Sequence, residues 1–190
     1  YWENDVWNLN DSFWDDYSAG QKFFTSRRIT FFEYPHLLRL EIKYYLATRL
    51  SQKTLSPSSL WSDYQFMLKY FIHFLQETYP KVNSFSEISI DEMLPSWLNY
   101  IALSGRKSSR QGYRAQIYQL YLFFSDFYDT RDEYEKDIWD CRKIPSVDIP
   151  VHATNHLINF TFIPPVFQKL AKKYIKMRLT ICALSTVRLE

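Results

Sequence analysis

Apolar positions recur along most of this chain with the period of a helix. From Pro35 to Ser51, Leu38, Ile42, Tyr45, Leu46 and Leu50 fall on one face, with Arg39, Lys43 and Arg49 off it. Thr54 to Pro57 reads as a connection, and Ser58 or Ser59 is placed to cap a second helix that runs to about Thr78. Its stripe is Leu60, Tyr64, Met67, Leu68, Phe71 and Leu75, and Pro80 stops it. Lys81 to Ser89 reads as a loop. A third helix opens at Ile90-Asp91-Glu92, where the dipole favours acids, and turns Leu94, Trp97, Leu98 and Ile101 to one side. Pro95 falls early enough in it to be tolerated. A fourth helix spans Gln111 to Tyr128, with Tyr113, Ile117, Leu120, Phe124 and Phe127 in line. This pattern predicts a mainly α protein, with a compact four-helix bundle between about Pro35 and Tyr128.

On either side the helical period lapses. Tyr1 to Ser26 holds Trp2, Trp7, Phe13 and Trp14 among Asp and Asn, and reads as an irregular arm whose aromatics dock on the rest. Ile29 to Phe32 suits a short extended piece. Beyond Tyr128, Thr130 to Lys136 is charged and has the length of a short helix. Ile144 to Pro150 holds two prolines and no helical stripe, as an interdomain linker would. Ile158 to Phe162 alternates like a strand, Pro164-Pro165 opens a helix to about Tyr174, and an apolar segment from Leu179 to Leu184 leads into Ser185-Thr186-Val187-Arg188. The expected division is an arm over 1–34, a helical domain over 35–143, a linker over 144–157 and the beginning of a second domain over 158–190.

Composition narrows the chemistry. At 190 residues and 19% aromatic, the chain can bury a core. Three glycines leave little room for a nucleotide-cradling loop, and a net charge of +2 means that any nucleic-acid surface must come from local clustering. Cys141 and Cys182 have no metal-ligand spacing and form no disulfide framework, which suits a reducing cytoplasm. No apolar run has membrane-spanning length and no signal peptide is visible, so no membrane association is expected. His152 and His156, four apart, read as loop histidines; Asp15-Asp16 read as solvated acids and His73 as a packing residue. Neither a metal site nor a cofactor is expected. The chain opens at Tyr1 rather than Met and closes without a helix stop signal, as a portion of a longer protein would.

The candidate chemistry lies at the turn Ser104-Gly105-Arg106-Lys107-Ser108-Ser109-Arg110. Gly105 breaks the chain after an apolar helix, and Ser108 or Ser109 can cap the next one. Lys107, Gln111 and Arg114 then fall on one flank with Tyr118, beside the apolar stripe. A helix N-terminus with cations and hydroxyls suits phosphate, because backbone N–H groups and the helix dipole add to the side-chain charge. Lys107, Ser108, Ser109, Arg110 and Arg114 are therefore candidate phosphate contacts, and Gln111 could reach a base edge if the phosphate belongs to a nucleic acid, as the resemblance described next implies. The same residues also describe an ordinary solvated helix start. Ser59 and Ser62, with Trp61, form a lesser candidate set, Trp61 being equally suited to the core.

The order of these elements resembles the tyrosine recombinase (phage integrase) family, and within it the transposon-encoded integrases. Ser59-Leu60-Trp61-Ser62-Asp63-Tyr64 leading to Phe71 and Phe74-Leu75 resembles that family's first core-binding helix. Ser108-Ser109 through Tyr121-Leu122-Phe123-Phe124 is similar to its last. Phe162-Ile163-Pro164-Pro165-Val166-Phe167 is similar to the entry to the catalytic domain, and Leu184-Ser185-Thr186-Val187-Arg188-Leu189-Glu190 to the turn that carries the first catalytic arginine. Pro35 to Leu50 resembles the helix that precedes the core-binding domain in the transposon subgroup. Thr186 stands where the family usually has glycine.

The resemblance implies a SAM-like core-binding bundle followed by the start of an α/β catalytic domain. It further implies double-stranded DNA as partner, self-association of the full-length protein on DNA, and no metal or nucleotide. Arg188 would hold the scissile phosphate. The remaining catalytic residues, including the nucleophilic tyrosine, would lie beyond Glu190, so no tyrosine of this chain is expected to be the nucleophile. Two other readings use the same residues: a non-catalytic helical DNA-binding or adaptor module, and a protein-interaction scaffold with Trp2, Trp7 and Trp14 as its contact arm.

Overall fold

The computed structural model describes residues 1–18, 27–104, 110–145, 147, 149 and 156–187, with only the backbone of 18, 58, 110 and 111. The chain is mainly helical, and it separates into two units, Tyr1–Tyr128 and Asp129–Glu190.

The first unit begins with a small antiparallel ladder. Strand β1 (Val6–Asn8) pairs with β2 (Arg28–Thr30), Trp7 lying opposite Ile29, and the short helix α1 (Asp15–Ser18) follows β1. Trp7 and Trp14 are 0% and 1% exposed. The Trp14 indole N–H donates to Tyr1 Oη at 2.9 Å and to the Asn8 carbonyl at 3.0 Å. Helix α2 (His36–Ser51) clamps the other edge of the arm. Lys43 Nζ donates to the Glu3 carbonyl at 2.9 Å and to Asp5 at 2.6 Å, and Arg39 meets the second Asp5 oxygen at 2.9 Å. The lysine and arginine hold the Asp5 carboxyl below its ordinary range, the Lys43 hydrogen bond being the main cause. The aromatics of the arm thus dock on the rest as the sequence pattern predicts, Trp7 and Trp14 inside the core and Trp2 packed against it, which speaks against the alternative of these tryptophans as a contact arm.

Helix α2 buries the predicted stripe Leu38, Ile42, Tyr45, Leu46 and Leu50. It ends at Lys53, whose φ of 56° lets its N–H reach the Leu50 carbonyl while Thr54 N–H reaches that of Arg49, the usual closure of a helix by one left-handed residue. Helix α3 (Pro57–Asp63) and helix α4 (Lys69–Thr78) are joined by a π-helical turn, Tyr64–Leu68. The cap of α3 is Ser56, not Ser58 or Ser59: its hydroxyl accepts from Ser59 N–H at 3.2 Å. Proline explains the shift, since Pro57 has the fixed φ and missing N–H that suit the first helical position, and so moves the cap one residue ahead of itself.

Helix α5 (Ile90–Leu103) is capped by Ser89 and buries Met93, Trp97 and Ile101. Leu94 and Leu98, placed on that face from the sequence, are only half-buried at its edge. Helix α6 (Arg110–Tyr128) buries Tyr113, Ile117, Leu120, Tyr121 and Phe124. Phe127, expected inside, is exposed and stands 4.9 Å from the Tyr44 ring. The centre of the unit is aromatic: Phe71 meets Trp97 edge-on at 5.2 Å, and Phe85 stacks on Phe124 at 5.1 Å. One carboxylate is buried beside it. Glu41 accepts from Ser84 Oγ at 2.6 Å, Phe85 N–H at 3.0 Å and Tyr128 Oη at 2.6 Å, joining α2, the loop after α4 and the end of α6.

In the second unit, β3 (Ile138–Asp140) pairs antiparallel with β4 (Leu157–Asn159), Trp139 facing Ile158. Helix α7 (Pro165–Leu179) and the single turn α8 (Leu184–Val187) follow. Trp139, Cys141, Ile144, Phe160, Leu179, Leu184 and Val187 form the core, and Val147 and Ile149 pack against it. Two expectations fail here. Thr130 to Lys136 is a series of turns rather than a helix, since the Asp132 carboxylate accepts from Tyr134 N–H at 2.9 Å. Helix α7 runs past Tyr174 to Leu179, because Ile175 to Arg178 contains nothing that breaks a helix. The stretch read as a linker supplies Ile144, Val147 and Ile149 to this core, and the boundary between units falls after Tyr128, ahead of the one drawn at Lys143.

Candidate nucleic-acid interface

Helix α6 owes its position to its buried stripe. With Tyr113, Ile117, Leu120 and Phe124 in the core, the flank one residue on is turned to solvent, and Arg114 and Tyr118 are both exposed on it. They are one turn apart, so a cation and an aromatic ring follow the same edge of the helix. Arg110 and Gln111 occupy the first turn of α6, at its positive dipole end. Lys107, Ser108 and Ser109 lie outside the described residues, as do the side chains of Arg110 and Gln111. Leu103 is exposed at the C-terminal end of α5, next to Ser104, whose hydroxyl donates back to the Ile101 carbonyl at 2.8 Å.

The lesser set sits on α3. Ser59 is exposed and Ser62 is half-buried, and both hydroxyls serve the helix itself. Ser56 Oγ meets Ser59 Oγ at 3.0 Å, and Ser62 Oγ donates to the Ser59 carbonyl at 2.8 Å. Trp61, half-buried between them, carries the Arg27 guanidinium 4.9 Å from its ring centroid, and Phe66 meets its edge at 5.7 Å. The sequence reading missed Arg27. No local signal could have found it, because residues 27 and 61 meet only in the folded chain. His73, expected to pack, is exposed and stands 3.3 Å from Glu77 one turn on.

Arg188 and His152 lie outside the described residues. The chain leading to Arg188 is anchored: Leu184 and Val187 are buried in the second core, and Val187 N–H donates to the Ala183 carbonyl. Among the described residues no group of three or more His, Cys, Asp and Glu side chains is placed to hold a metal ion. Cys141 is buried and Cys182 half-buried, and neither is in a disulfide. Among the described residues no helix is long and apolar enough to cross a membrane.

Among the described residues the flank of α6 shows one exposed cation, Arg114, and the chain's relatives bear on what such a flank could meet. The chain is similar to transposases. It is 27% identical over 170 residues to transposase B from transposon PsiTn554 of Staphylococcus aureus, a match covering 79% of this chain and 27% of the relative. Transposase B from transposon Tn554, in the Mu50 / ATCC 700699 and N315 strains of the same organism, is 26% identical over the same length and coverage. The chain therefore spans about a quarter of the length of these transposases. No protein-family model and no solved structure matches it.

Proposed function

We propose that this chain is the N-terminal, DNA-binding part of a transposon-encoded site-specific recombinase of the tyrosine type. The observation that carries the reading is the similarity to the Tn554-type transposase B proteins over most of this chain. The order of elements agrees with it: an aromatic bundle that ends in α6, then a second unit whose last described turn leads into Arg188. In this reading the first unit is a SAM-like core-binding domain lying on duplex DNA. Lys107, Ser108, Ser109, Arg110 and Arg114 contact phosphates, Gln111 reads a base edge, and Ser59 and Ser62 border the contact. The second unit begins the catalytic domain.

The whole enzyme would break and rejoin strands through a covalent phosphotyrosine. A tyrosine hydroxyl attacks the scissile phosphorus, its proton passes to a base, and the 5′ oxygen leaves with a proton from an acid. The phosphoester bond lost to the leaving strand is replaced by one to the protein, so the step is reversible without a nucleotide. Arg188 would place paired N–H donors on the phosphate oxygens and strengthen its hold as charge builds in the pentacoordinate state. Copies of the enzyme would meet on paired sites in the cytoplasm.

The test is a nicked suicide duplex offered to the full-length protein and to this 190-residue chain. The expected result is duplex binding by both and a covalent adduct from the full-length protein alone. Arg188→Ala in the full-length protein should largely spare binding and cut adduct formation by about 100-fold or more. An adduct from the short chain, or a wild-type rate from the Arg188→Ala protein, overturns the assignment.

A further inference from the structure

Helix α7 contains no acidic residue, and its lysines are gathered on one side. Lys169, Lys172, Lys173 and Lys176 fall within an arc of about 100° at helical spacing. Each has one of the others three residues away and another four away, the separations at which like charges on a helix repel. The rotation of the helix is fixed, so the stripe cannot turn elsewhere. Ala171 and Ile175 pack against the second core and Leu179 is buried in it. Gln168 Nε2 donates to the Phe160 and Ile163 carbonyls at 3.3 and 3.0 Å. Two of the lysines lean back on the segment before β3: Lys172 Nζ meets Asp137 at 2.7 Å, and Lys176 Nζ lies 3.8 Å from the centroid of the Tyr134 ring.

Lys169, Lys173 and Lys176 are exposed, and among the described residues no carboxylate pairs with any of them. The acids of the unit are engaged elsewhere: Asp129 with Arg131 at 2.8 Å, Glu133 with Lys136 at 3.0 Å and Asp140 with Arg142 at 2.6 Å. The chain therefore holds three ammonium groups side by side and does not relieve their repulsion, which a row of external anions would do. Lysine offers a compact charge on a flexible stem and no planar fork, so the stripe suits a repeating anion rather than one bidentate group. Lys169 and Lys176 are about 10 Å apart along the helix axis. One DNA strand carries a charge about every 3.4 Å of duplex axis, so this span matches about three phosphates. We infer that the lysine stripe of α7 is a second contact to the backbone of duplex DNA, one that positions the second unit without reading sequence. The inference rests on the reading of this chain as DNA-binding, and it uses none of the residues proposed on α6 or α3.

The experiment titrates this 190-residue chain with two duplexes of unrelated sequence at several salt concentrations. The wild type is compared with a variant combining Lys169→Gln, Lys173→Gln and Lys176→Gln. A Lys53→Gln, Lys81→Gln variant, altered at two exposed lysines of the first unit, controls for bulk charge. The triple variant should bind both duplexes about tenfold or more weakly at low salt. Its slope of log affinity against log salt should flatten by about 2 to 3 units, the loss of three phosphate contacts, while that of the control changes by less than about one. Glutamine keeps the helix propensity and removes the mutual repulsion, so the melting temperature should not fall. Acetylation of the wild-type chain, followed site by site by mass spectrometry, gives a readout that needs no variant. Duplex should slow it about tenfold at Lys169, Lys173 and Lys176 and leave Lys53 and Lys81 unchanged. If the wild type binds but the triple variant keeps its slope, or the three lysines gain no protection, the inference is overturned and the reading of the chain as DNA-binding stands. A wild-type chain that binds neither duplex overturns both. A triple variant that keeps its duplex binding and loses binding to phosphatidylserine vesicles would assign the stripe to a lipid surface and overturn the inference.

Discussion

At the scale of single residues, Arg114 is turned to solvent because four neighbours on α6 are buried, and it is the member of the proposed DNA contact whose side chain is described. Arg114→Ala should weaken duplex binding about equally across sequences. It should also flatten the dependence of log affinity on log salt by about one unit, the loss expected for one phosphate contact. Titrations at several salt concentrations check this, and an unchanged slope takes α6 out of the interface. Asp140 offers a test of the second unit. Burial is the largest influence on its carboxyl and opposes the charge. Arg142 nonetheless wins, with Nη2 at 2.6 Å, Nε at 3.0 Å and backbone N–H at 3.1 Å, so the folded value lies below the ordinary 3.8. A carboxyl depressed on folding stabilises fully above its unfolded value, and the benefit is lost as pH falls through the folded one. Wild type should therefore lose stability on acidification below 3.8. Asp140→Asn should lose less over the same range, as read by near-ultraviolet melting of the second unit.

At the scale of elements, the start of α3 separates a local rule from its neighbour. Ser56→Ala removes the hydroxyl that accepts from Ser59 N–H and should cost about 1 kcal/mol. Ser58→Ala, one turn position too late to cap behind Pro57, should change stability by less than about 0.5 kcal/mol. Chemical denaturation of the two variants measures the difference, and equal losses would return the cap to the later serine. The helices themselves were legible because each carries its own period. Phe127 was misjudged because the buried stripe of α6 ends at Phe124, and Phe127 is left at the surface with its ring tilted against that of Tyr44.

At the scale of the molecule, the separation after Tyr128 has a direct consequence. The first unit closes its own core, from the Trp7–Trp14 arm through Phe124, and Glu41 ties α2 to Tyr128 at its end. Residues 1–128 expressed alone should fold cooperatively and keep a melting temperature within a few degrees of that of the same unit in the whole chain. Loss of tertiary structure in that fragment would show that the second unit is needed to hold the bundle. If the fragment folds and also binds duplex DNA with the salt slope of the whole chain, the contact belongs to the first unit.

The sequence by itself determined the helical class, four of the amphipathic faces and the aromatic character of the core. These follow from spacing along a few turns, where the period of the backbone decides which side chains share a face. Tertiary structure alone decided which charged groups are buried, as with Glu41 under Ser84, Phe85 and Tyr128, and Lys43 against Glu3 and Asp5. It also set Arg27 on Trp61 and drew Tyr134, Trp139, Cys141 and Ile144 together with Phe160, Leu179, Leu184 and Val187 around one core. Each of these joins positions tens of residues apart. Such a contact is stabilised by partners that no local pattern names, because the free energy of burying a charge or a ring depends on what the folded chain brings to its other side.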